Sequence, residues 1–240
     1  FREKVMKIVV IIHARGGAKR IPLKNIQIVG NKPLLAYPIE LAKKIAEVDR
    51  VIVSTDHDKI KETALALGAE VPFARPADIS EDVPSELVTH HAICFLRDKD
   101  NYLPDIVITL TPANPFTKVQ DVRKGINLLL EHPGWDSVVT VHKAKEFPEW
   151  MIDYQPGKPC KTLMGNPLDG KYNVSQNLQR YFYPLGAFFI NRVKPFLLHP
   201  SLYGRKWGAI ELSLDQHIDI DVPEELEKAR KMADKRYPKL

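Results

Sequence analysis

Residues 8–25 read IVVIIHARGGAKRIPLKN, an apolar run followed by a basic segment with two adjacent glycines. The continuous apolar character of residues 8–12 predicts a strand that is buried on both faces. Paired glycines let the following backbone turn and point N–H groups at a ligand, and Arg15, Lys19 and Lys24 add positive charge in the same small volume. The segment therefore predicts a buried strand that ends in a phosphate-binding loop.

Positive charge is concentrated around this loop. Residues 4–39 contain seven lysines and arginines and no aspartate or glutamate, whereas the net charge of the whole 240-residue chain is only +5. Such a local excess favours a small polyanion bound at one place. The chain has no lysine or arginine tract and no interleaved aromatic and basic pattern, so we expect no nucleic-acid partner.

The cysteines of the chain are Cys94 and Cys160, and their spacing suggests neither a CxxC pair nor a disulfide framework. Isolated cysteines are typical of a reducing compartment, so we expect a cytoplasmic protein. The longest apolar run is far too short to span a bilayer and no signal peptide is evident, which predicts that the membrane is not a partner.

Strand patterns alternate with helical patterns along most of the chain. Strands are expected at about 51–56, 70–73, 105–110, 135–141 and 186–190, and helices at about 34–45, 57–67, 85–97, 119–130 and 223–235. The alternation predicts an α/β fold with a mostly parallel twisted sheet and helices on both faces. Residues 142–180 lose this periodicity and are rich in Pro, Gly, Asn and Lys. We interpret them as an excursion from the sheet within a single domain, residues 1–240.

Ligands of open α/β sheets bind at the carboxyl ends of the strands. The basic loop, Asp56, the loop that starts at Thr111 and the segment from His142 all follow predicted strands, so one crevice is expected to collect them. Asp219 and Asp221 are separated by one residue, which places both carboxylates on one face of an extended chain. Paired carboxylates without His or Cys suit Mg²⁺, which completes its shell with phosphate oxygens and water. The cationic loop and the carboxylate pair together predict a site for a triphosphate and a displacement reaction at one of its phosphorus atoms.

Six motifs stand out along the chain. They are RGGAKRIPLKN (residues 15–25), VSTD (53–56), FARPAD (73–78), LTPANPF (110–116), PLGA (184–187) and DIDVPE (219–224). Together they resemble the motifs of the acylneuraminate cytidylyltransferases, which activate nonulosonic (sialic-type) acids as CMP-sugars, and the first and last are specific in combination. The resemblance implies a Rossmann-like fold of the nucleotide-diphospho-sugar transferase type, with CTP and an acid sugar as small-molecule substrates. It also implies Mg²⁺, pyrophosphate release and a homodimer, whose dimerisation region we place at about 142–210.

The resemblance assigns roles to individual residues. Arg15, Lys24 and Asp219 would be catalytic, because Arg15 and Lys24 hold the triphosphate and Asp219 can help to remove the proton of the anomeric hydroxyl. Asp219 and Asp221 would bind Mg²⁺. The nucleotide site would comprise Ala14, Arg15, Gly16, Gly17, Lys19, Lys24, Asn25, Arg75 and Ser85. For the acceptor side we expect Thr111, Asn114, Trp150, Tyr183 and Phe189.

Three places depart from the family pattern. Ala18 stands where family members usually have Ser, and residues 111–114 and 183–186 replace the usual Gln-Pro-Thr-Ser and Arg-Pro-Asn-Gly. Three interpretations therefore stay open. The first is CMP transfer to a nonulosonic acid. The second is the same fold with another nucleotide, or with another acceptor such as 3-deoxy-octulosonate, its 8-amino relative or a phosphonate. The third is a paralogue that binds nucleotide without turnover.

Some local features have a structural interpretation. Asp56 is expected to be the N-cap of the helix that follows it. Phe188 is expected in the core, with Phe189 toward a ligand on the opposite face. Residues 147–150 are expected to form either an interface or a lid, and residues 196–207 are expected to cross to the partner subunit. Glu224 and Glu225 are favourable charges at a helix start.

Overall fold

The computed structural model describes residues 6–213 and 217–236. The domain was predicted to span residues 1–240, of which residues 1–5, 214–216 and 237–240 lie outside the described residues. In chain order the described strands are β1 (Ile8–His13), β2 (Ile28–Val29), β3 (Lys32–Pro33), β4 (Arg50–Ser54), β5 (Ile106–Leu110), β6 (Ser137–Lys143), β7 (Ile152–Asp153), β8 (Lys161–Thr162), β9 (Phe182–Arg192) and β10 (Trp207–Glu211). The helices are α1 (Ala36–Lys43), α2 (Asp58–Ala66), α3 (Ser85–Lys99), α4 (Val119–Glu131), α5 (Val193–Leu198) and α6 (Pro223–Arg236). Within the described ranges, no helix is long and apolar enough to cross a bilayer.

The central sheet has the strand order β10-β6-β9-β5-β1-β4. β1 is parallel to both β4 and β5, and β10 is parallel to β6, whereas β9 runs antiparallel to β5 and β6. The prediction of a mostly parallel sheet is confirmed. Since β4 and β5 lie on opposite sides of β1, the winding direction changes at β1, which is where open α/β sheets bind their ligands.

Alternate residues of β1 face two different hydrophobic cores. Ile8, Val10 and Ile12 face the core that α1, α2 and α4 cover. Val9 and Ile11 face the opposite core, to which α3 and α5 contribute. All five side chains are at most 1% exposed, which explains why the strand is continuously apolar. The prediction of helices on both faces is confirmed.

A third core joins α6 to the short β2–β3 hairpin. Ile220 and Leu226 pack there with Val29 and Leu34. This packing has a functional consequence, because it brings the DIDVPE segment next to the loop that follows β1. Lys24 contacts the carbonyl of Ile220 across 196 positions of sequence.

The strand expected at residues 70–73 is wrong in extent. Glu70 alone forms a bridge, to Ile52 of β4. The physical reason is local: Pro72 has no N–H to donate to a ladder, and the Phe73 ring turns into the second core against Phe95 of α3.

Residues 144–181 leave the sheet between β6 and β9. They form the small β7–β8 hairpin and several single 3₁₀ turns, in agreement with the predicted loss of periodicity. Lys143 of β6 pairs with Phe182 of β9. We call residues 144–181 the excursion; both of its ends are therefore attached to neighbouring strands.

Candidate active site

A crevice of about 320 Å³ lies at the carboxyl ends of the strands around β1. Its walls come from the loop after β1, the start of α3, the loop after β5 and residues 219–221. Most of the predicted site residues line it: Arg15, Lys24, Asn25, Arg75, Ser85, Thr111, Asn114, Asp219 and Asp221. The structure thus brings together residues from both ends of the chain.

The loop after β1 is tied down at two points. The backbone N–H of Gly16 donates to Asp56 Oδ1 at 2.7 Å, and Asn25 Nδ2 donates to the carbonyl of Arg15 at 2.8 Å. A Cβ at Gly16 would lie 2.7 Å from the His57 side chain, whereas a Cβ at Gly17 would meet open space. Gly16 is therefore required by close approach, and Gly17 has no such steric requirement. Ala14, also predicted at the nucleotide site, is fully buried in the first core, and its N–H donates to the Ser54 carbonyl at 3.0 Å.

The interpretation of Asp56 as a helix N-cap is wrong. The N-cap of α2 is His57, whose Nδ1 accepts from the Lys59 N–H at 3.2 Å. The carboxylate of Asp56 faces the loop after β1 instead and accepts from the N–H of Gly16. Asp56 therefore supports the loop.

Two of the loop cations share one carboxylate. Arg15 and Lys19 both bind Asp82, the lysine at 2.9 Å. The hydrogen bonds from Lys19 and Arg15 lower the pKa of the exposed Asp82 carboxyl to about 2. Lys19 is 81% exposed and lies in a shallow extension of the crevice. Asp82 thus occupies the position between two cations for which a phosphate would compete.

Lys24 contacts the opposite wall of the crevice. Its Nζ donates to the carbonyl of Ile220 at 2.6 Å and to Asp221 Oδ1 at 3.0 Å, and the side chain is only 17% exposed. The preceding residue, Leu23, has a left-handed backbone with φ 48°. Such a conformation costs a non-glycine residue on the order of 1 kcal/mol. The fold tolerates this strain where the chain turns to present Lys24.

The two carboxylates flank a buried anchor. Ile220 is fully buried and its N–H donates to the Ala113 carbonyl at 3.0 Å, so Asp219 and Asp221 both line the crevice. Asn114 Nδ2 donates to Asp219 Oδ1 at 3.3 Å. Desolvation, followed by repulsion from Asp221, raises the pKa of Asp219 to about 6.

Glu225 fixes the backbone of this carboxylate segment. Its Oε2 accepts from the N–H groups of Asp221, at 2.7 Å, and Val222, at 3.1 Å. A glutamate in the first turn that bonds back to the residues before the helix is a capping arrangement. Glu225 was expected to be a favourable charge at the start of α6. It acts there through specific hydrogen bonds from these two N–H groups.

The carboxylate pair fits a magnesium ion by its donor chemistry. No group of three or more His, Cys, Asp or Glu side chains within the described ranges could hold a metal ion. Mg²⁺ does not need one, since it is commonly held by one or two carboxylates together with substrate phosphates and water. Asp219 and Asp221 supply two carboxylates, and the buried Asn114 Oδ1 next to them accepts no hydrogen bond from the described residues. These hard oxygens suit Mg²⁺.

The other wing of the crevice lies between β1, β4 and α3. Arg75 is 6% exposed and donates to the Ser54 hydroxyl at 3.1 Å and the Ser54 carbonyl at 2.6 Å. Burial lowers the pKa of Arg75 to about 10, so it stays protonated near neutral pH. Ser85, the first residue of α3, lies at the mouth of this wing.

Three of the expected acceptor-side residues lie outside the crevice. Trp150 is in the excursion, where its indole N–H donates to the Tyr172 carbonyl at 2.6 Å. Tyr183 is exposed and stacks on His142. Phe189 packs into the second core against Tyr203, while Phe188 is fully buried in the first. The expected burial of Phe188 is confirmed. Phe189 was expected to face a ligand, but it packs against the second core instead.

Sequence reasoning missed several polar residues of the crevice, among them His13 and Asp82. His13 is the last residue of β1, and its position at the carboxyl end of a strand was an available signal. Asp82 lies 67 positions from Arg15, and no local pattern marks it. Both follow directly from the fold.

Comparison with known proteins adds independent information. The sequence model of one family, described as cytidylyltransferase, matches residues 9–238. The chain is 29% identical to CMP-N,N'-diacetyllegionaminic acid synthase of Legionella pneumophila, over 91% of this chain and 92% of that protein. It is 30% identical to a pseudaminic acid cytidylyltransferase of Campylobacter jejuni, over 94% of this chain and 95% of that protein.

Solved structures with a similar fold are more distant in sequence. One is a CMP:2-keto-3-deoxy-manno-octonic acid synthetase complexed with CTP, with a TM-score of 0.71 and 18% identity over 96% of this chain and 99% of that one. Another is 4-diphosphocytidyl-2C-methyl-D-erythritol synthase of Anaerococcus prevotii, with a TM-score of 0.64 and 16% identity over 95% and 96% of the two chains. At such low sequence identity, these two similarities show that the fold is shared.

Proposed function

The chain belongs to the cytidylyltransferase family, and from that premise we propose that it transfers CMP from CTP to the anomeric hydroxyl of a nonulosonic (sialic-type) 2-keto acid sugar. The observation that carries the proposal is the contact between Lys24 Nζ and Asp221 Oδ1 at 3.0 Å. It joins the phosphate-binding loop to the carboxylate pair across one crevice. The names of the legionaminic and pseudaminic acid relatives support the acceptor class.

The proposed reaction is one displacement at the α-phosphorus. The anomeric oxygen forms a new P–O bond, the bond from the α-phosphorus to the bridging oxygen breaks, and pyrophosphate leaves with that electron pair. Arg15 and Lys24 offset the negative charge of the triphosphate. Asp219 lines the crevice beside Asn114 and is the proposed acceptor of the hydroxyl proton, a role that a positioned carboxylate can fill.

We also propose that Asp219 and Asp221 hold Mg²⁺. Asn114 orients Asp219 through the 3.3 Å hydrogen bond, and Glu225 fixes the backbone at Asp221. When bound, Mg²⁺ supplies positive charge that complements Arg15 and Lys24 around the phosphates. On the acceptor side, Thr111 and Asn114 line the crevice and are the proposed sugar contacts there.

The experiment that tests the function is pyrophosphate release with Mg²⁺ and CTP against a panel of acids: N-acetylneuraminate, legionaminate, pseudaminate and 3-deoxy-octulosonates. We expect turnover with one acid, reduced at least about a hundredfold by Asp221→Ala. Asp234→Ala, an exposed change on α6, is the control and should keep full activity. Binding of CTP without release for any acid would favour a non-catalytic paralogue or another acceptor. Full activity of Asp221→Ala would contradict the proposed site.

A homodimer formed through the excursion and its stem is also part of the proposal. This region exposes many large apolar side chains, an arrangement typical of an interaction surface: Trp150, Ile152, Tyr154, Leu163, Met164, Leu168, Val174, Phe182 and Tyr183. Phe196 and Leu202 lie in this subunit's own second core, so the segment 196–207 is not free to cross as a whole. Light scattering should show a dimer that Tyr154→Lys with Leu163→Lys converts to a monomer. Leu65→Lys, an exposed change on α2 outside the expected dimerisation region, should leave the dimer intact.

We further propose that the protein acts in the cytoplasm. Cys94 and Cys160 are both free thiols, which suits a reducing compartment. Cell fractionation followed by detection of the protein in each fraction checks this location.

A further inference from the structure

His13 is a polar residue of the crevice to which the chemistry proposed above gives no role. His13 is the last residue of β1 and lines the crevice together with Arg75, Ser85 and Val88. The phosphates are assigned to the loop cations, and the acceptor to the wing formed by the loop after β5 and residues 219–221. The wing between β1 and α3 is therefore the place that remains for the base of the nucleotide.

Hydrogen bonds hold the His13 ring in a defined orientation. His13 Nε2 lies 3.0 Å from Thr89 Oγ1, and Thr89 Oγ1 lies 3.1 Å from Thr109 Oγ1. Both threonines are at most 2% exposed, so this chain of hydrogen bonds links β1, α3 and β5 beneath the ring. Either the imidazole or the hydroxyl can donate in the contact between His13 and Thr89. In the tautomer with Nε2–H, which the inference below uses, Nδ1 keeps its lone pair and is an acceptor.

The surroundings keep this ring uncharged. Burial and the nearby Arg75 lower the pKa of His13 to about 3, so the imidazole is neutral near neutral pH. The same wing contains the buried Arg75 guanidinium, which has five N–H donors and uses two of its nitrogens on Ser54. The wing therefore combines a cationic donor with a neutral acceptor.

We propose that His13 determines nucleotide specificity by accepting, through Nδ1, a hydrogen bond from the exocyclic amino group of cytosine. The proposal rests on the proposed function, which requires CTP. Uracil carries a carbonyl oxygen where cytosine carries the amino group, so UTP would place an acceptor against the acceptor nitrogen of His13. A polar site that is left unpaired by the wrong ligand discriminates more strongly than an apolar one. Arg75 matches the base carbonyl that both pyrimidines share.

The test is calorimetric binding of CTP and of UTP with Mg²⁺ and without an acceptor sugar. We expect the wild-type protein to bind CTP at least about tenfold more tightly than UTP. His13→Leu should weaken CTP binding about tenfold and change UTP binding less than about twofold. Thr89→Val leaves the imidazole in place but removes its hydrogen-bond partner, so the CTP preference should fall by a smaller factor. Val88→Ala, in the same wing, should weaken both nucleotides equally and keep their ratio.

The outcomes separate this proposal from the proposed function. An unchanged CTP-to-UTP ratio in a folded His13→Leu protein overturns the role of His13. If circular dichroism shows that His13→Leu is unfolded, an unchanged ratio in Thr89→Val overturns it instead. Equal binding of CTP and UTP by the wild-type protein also overturns it, while pyrophosphate release with CTP would still uphold the proposed function. A wild-type protein that neither binds CTP nor releases pyrophosphate overturns both.

Discussion

Replacing Lys24 with methionine is expected to remove most of the activity and little of the stability. Lys24 is 17% exposed and donates both to a backbone carbonyl and to Asp221, so its charge is held in place before substrate arrives. Loss of one such preorganised charge contact typically costs about 3 kcal/mol of transition-state stabilisation, or roughly 150-fold in kcat/KM. The Asp221 side chain is 59% exposed and regains water when the lysine is removed. We therefore expect a loss of only about 1 kcal/mol in the free energy of unfolding.

The assay is pyrophosphate release from CTP with the acid sugar that the wild-type protein uses, together with urea unfolding of both proteins. Lys19→Met is the matched control, because Lys19 is 81% exposed and pairs with the exposed Asp82. Lys19 would meet a phosphate from an exposed and solvated position, where a charge contact is weak, so this control should lose less than about fivefold in kcat/KM. Equal losses from the two substitutions would refute the reasoning, since burial and preorganisation of Lys24 would then make no difference. So would a Lys24→Met protein that keeps a third of the wild-type rate.

Three further predictions test other parts of the structure. Asp82→Asn removes the carboxylate that competes with phosphate for Arg15 and Lys19, so KM for CTP should fall roughly two- to fivefold; a rise in KM would contradict this. Folding lowers the pKa of His13 from 6.5 to about 3. Between these two pH values the unfolded chain therefore binds more protons than the folded protein. The stability that His13 contributes is therefore complete above about pH 6.5 and is lost as the pH falls. Urea unfolding at about pH 7.5 and about pH 4.5 should show a loss that is roughly 2–3 kcal/mol smaller in His13→Gln, and equal losses would rule out the lowered pKa. Phe188→Ala, at a fully buried position, should cost about 3–5 kcal/mol in urea unfolding and the half-buried Phe189→Ala clearly less; the reverse order would contradict the core assignment.

The main strands were predictable because their signals are local. β1 is apolar from Ile8 to Ile12 and β5 is apolar apart from Thr109, since both faces of these strands are covered by helices. The direction of β9 was not predictable in the same way, because a strand that is antiparallel to two neighbours has no different residue pattern from a parallel one. At residues 70–73, apolar character suggested a strand, but Pro72 and the packing of Phe73 ended the pairing at Glu70.

The candidate site shows the same division between local and long-range information. Arg15, Lys24, Asp219 and Asp221 could be found because glycines and paired carboxylates accompany them in the sequence. Propensity favoured Asp56 over His57 as a helix cap, yet the loop at Gly16 claims the Asp56 carboxylate. Trp150 was expected at a ligand because it is aromatic, and Phe189 because it lies on the face opposite the core-facing Phe188; both properties equally suit packing. Only the tertiary structure decides between these uses.

The pairing of Lys143 with Phe182 makes the excursion, despite its length, equivalent to the tip of a hairpin. The entropy of closing such a loop rises only slowly with its length. Residues between these two positions can therefore be lengthened, shortened or exchanged in evolution without disturbing β4, β1 and β5, whose carboxyl ends border the proposed nucleotide side of the crevice. The fold is in this sense modular: the half with the phosphate-binding loop is constrained by one chemistry, while the half beyond β6 can diversify. Grafting an excursion from a relative onto these two anchor residues offers a direct way to alter assembly while the nucleotide half stays intact.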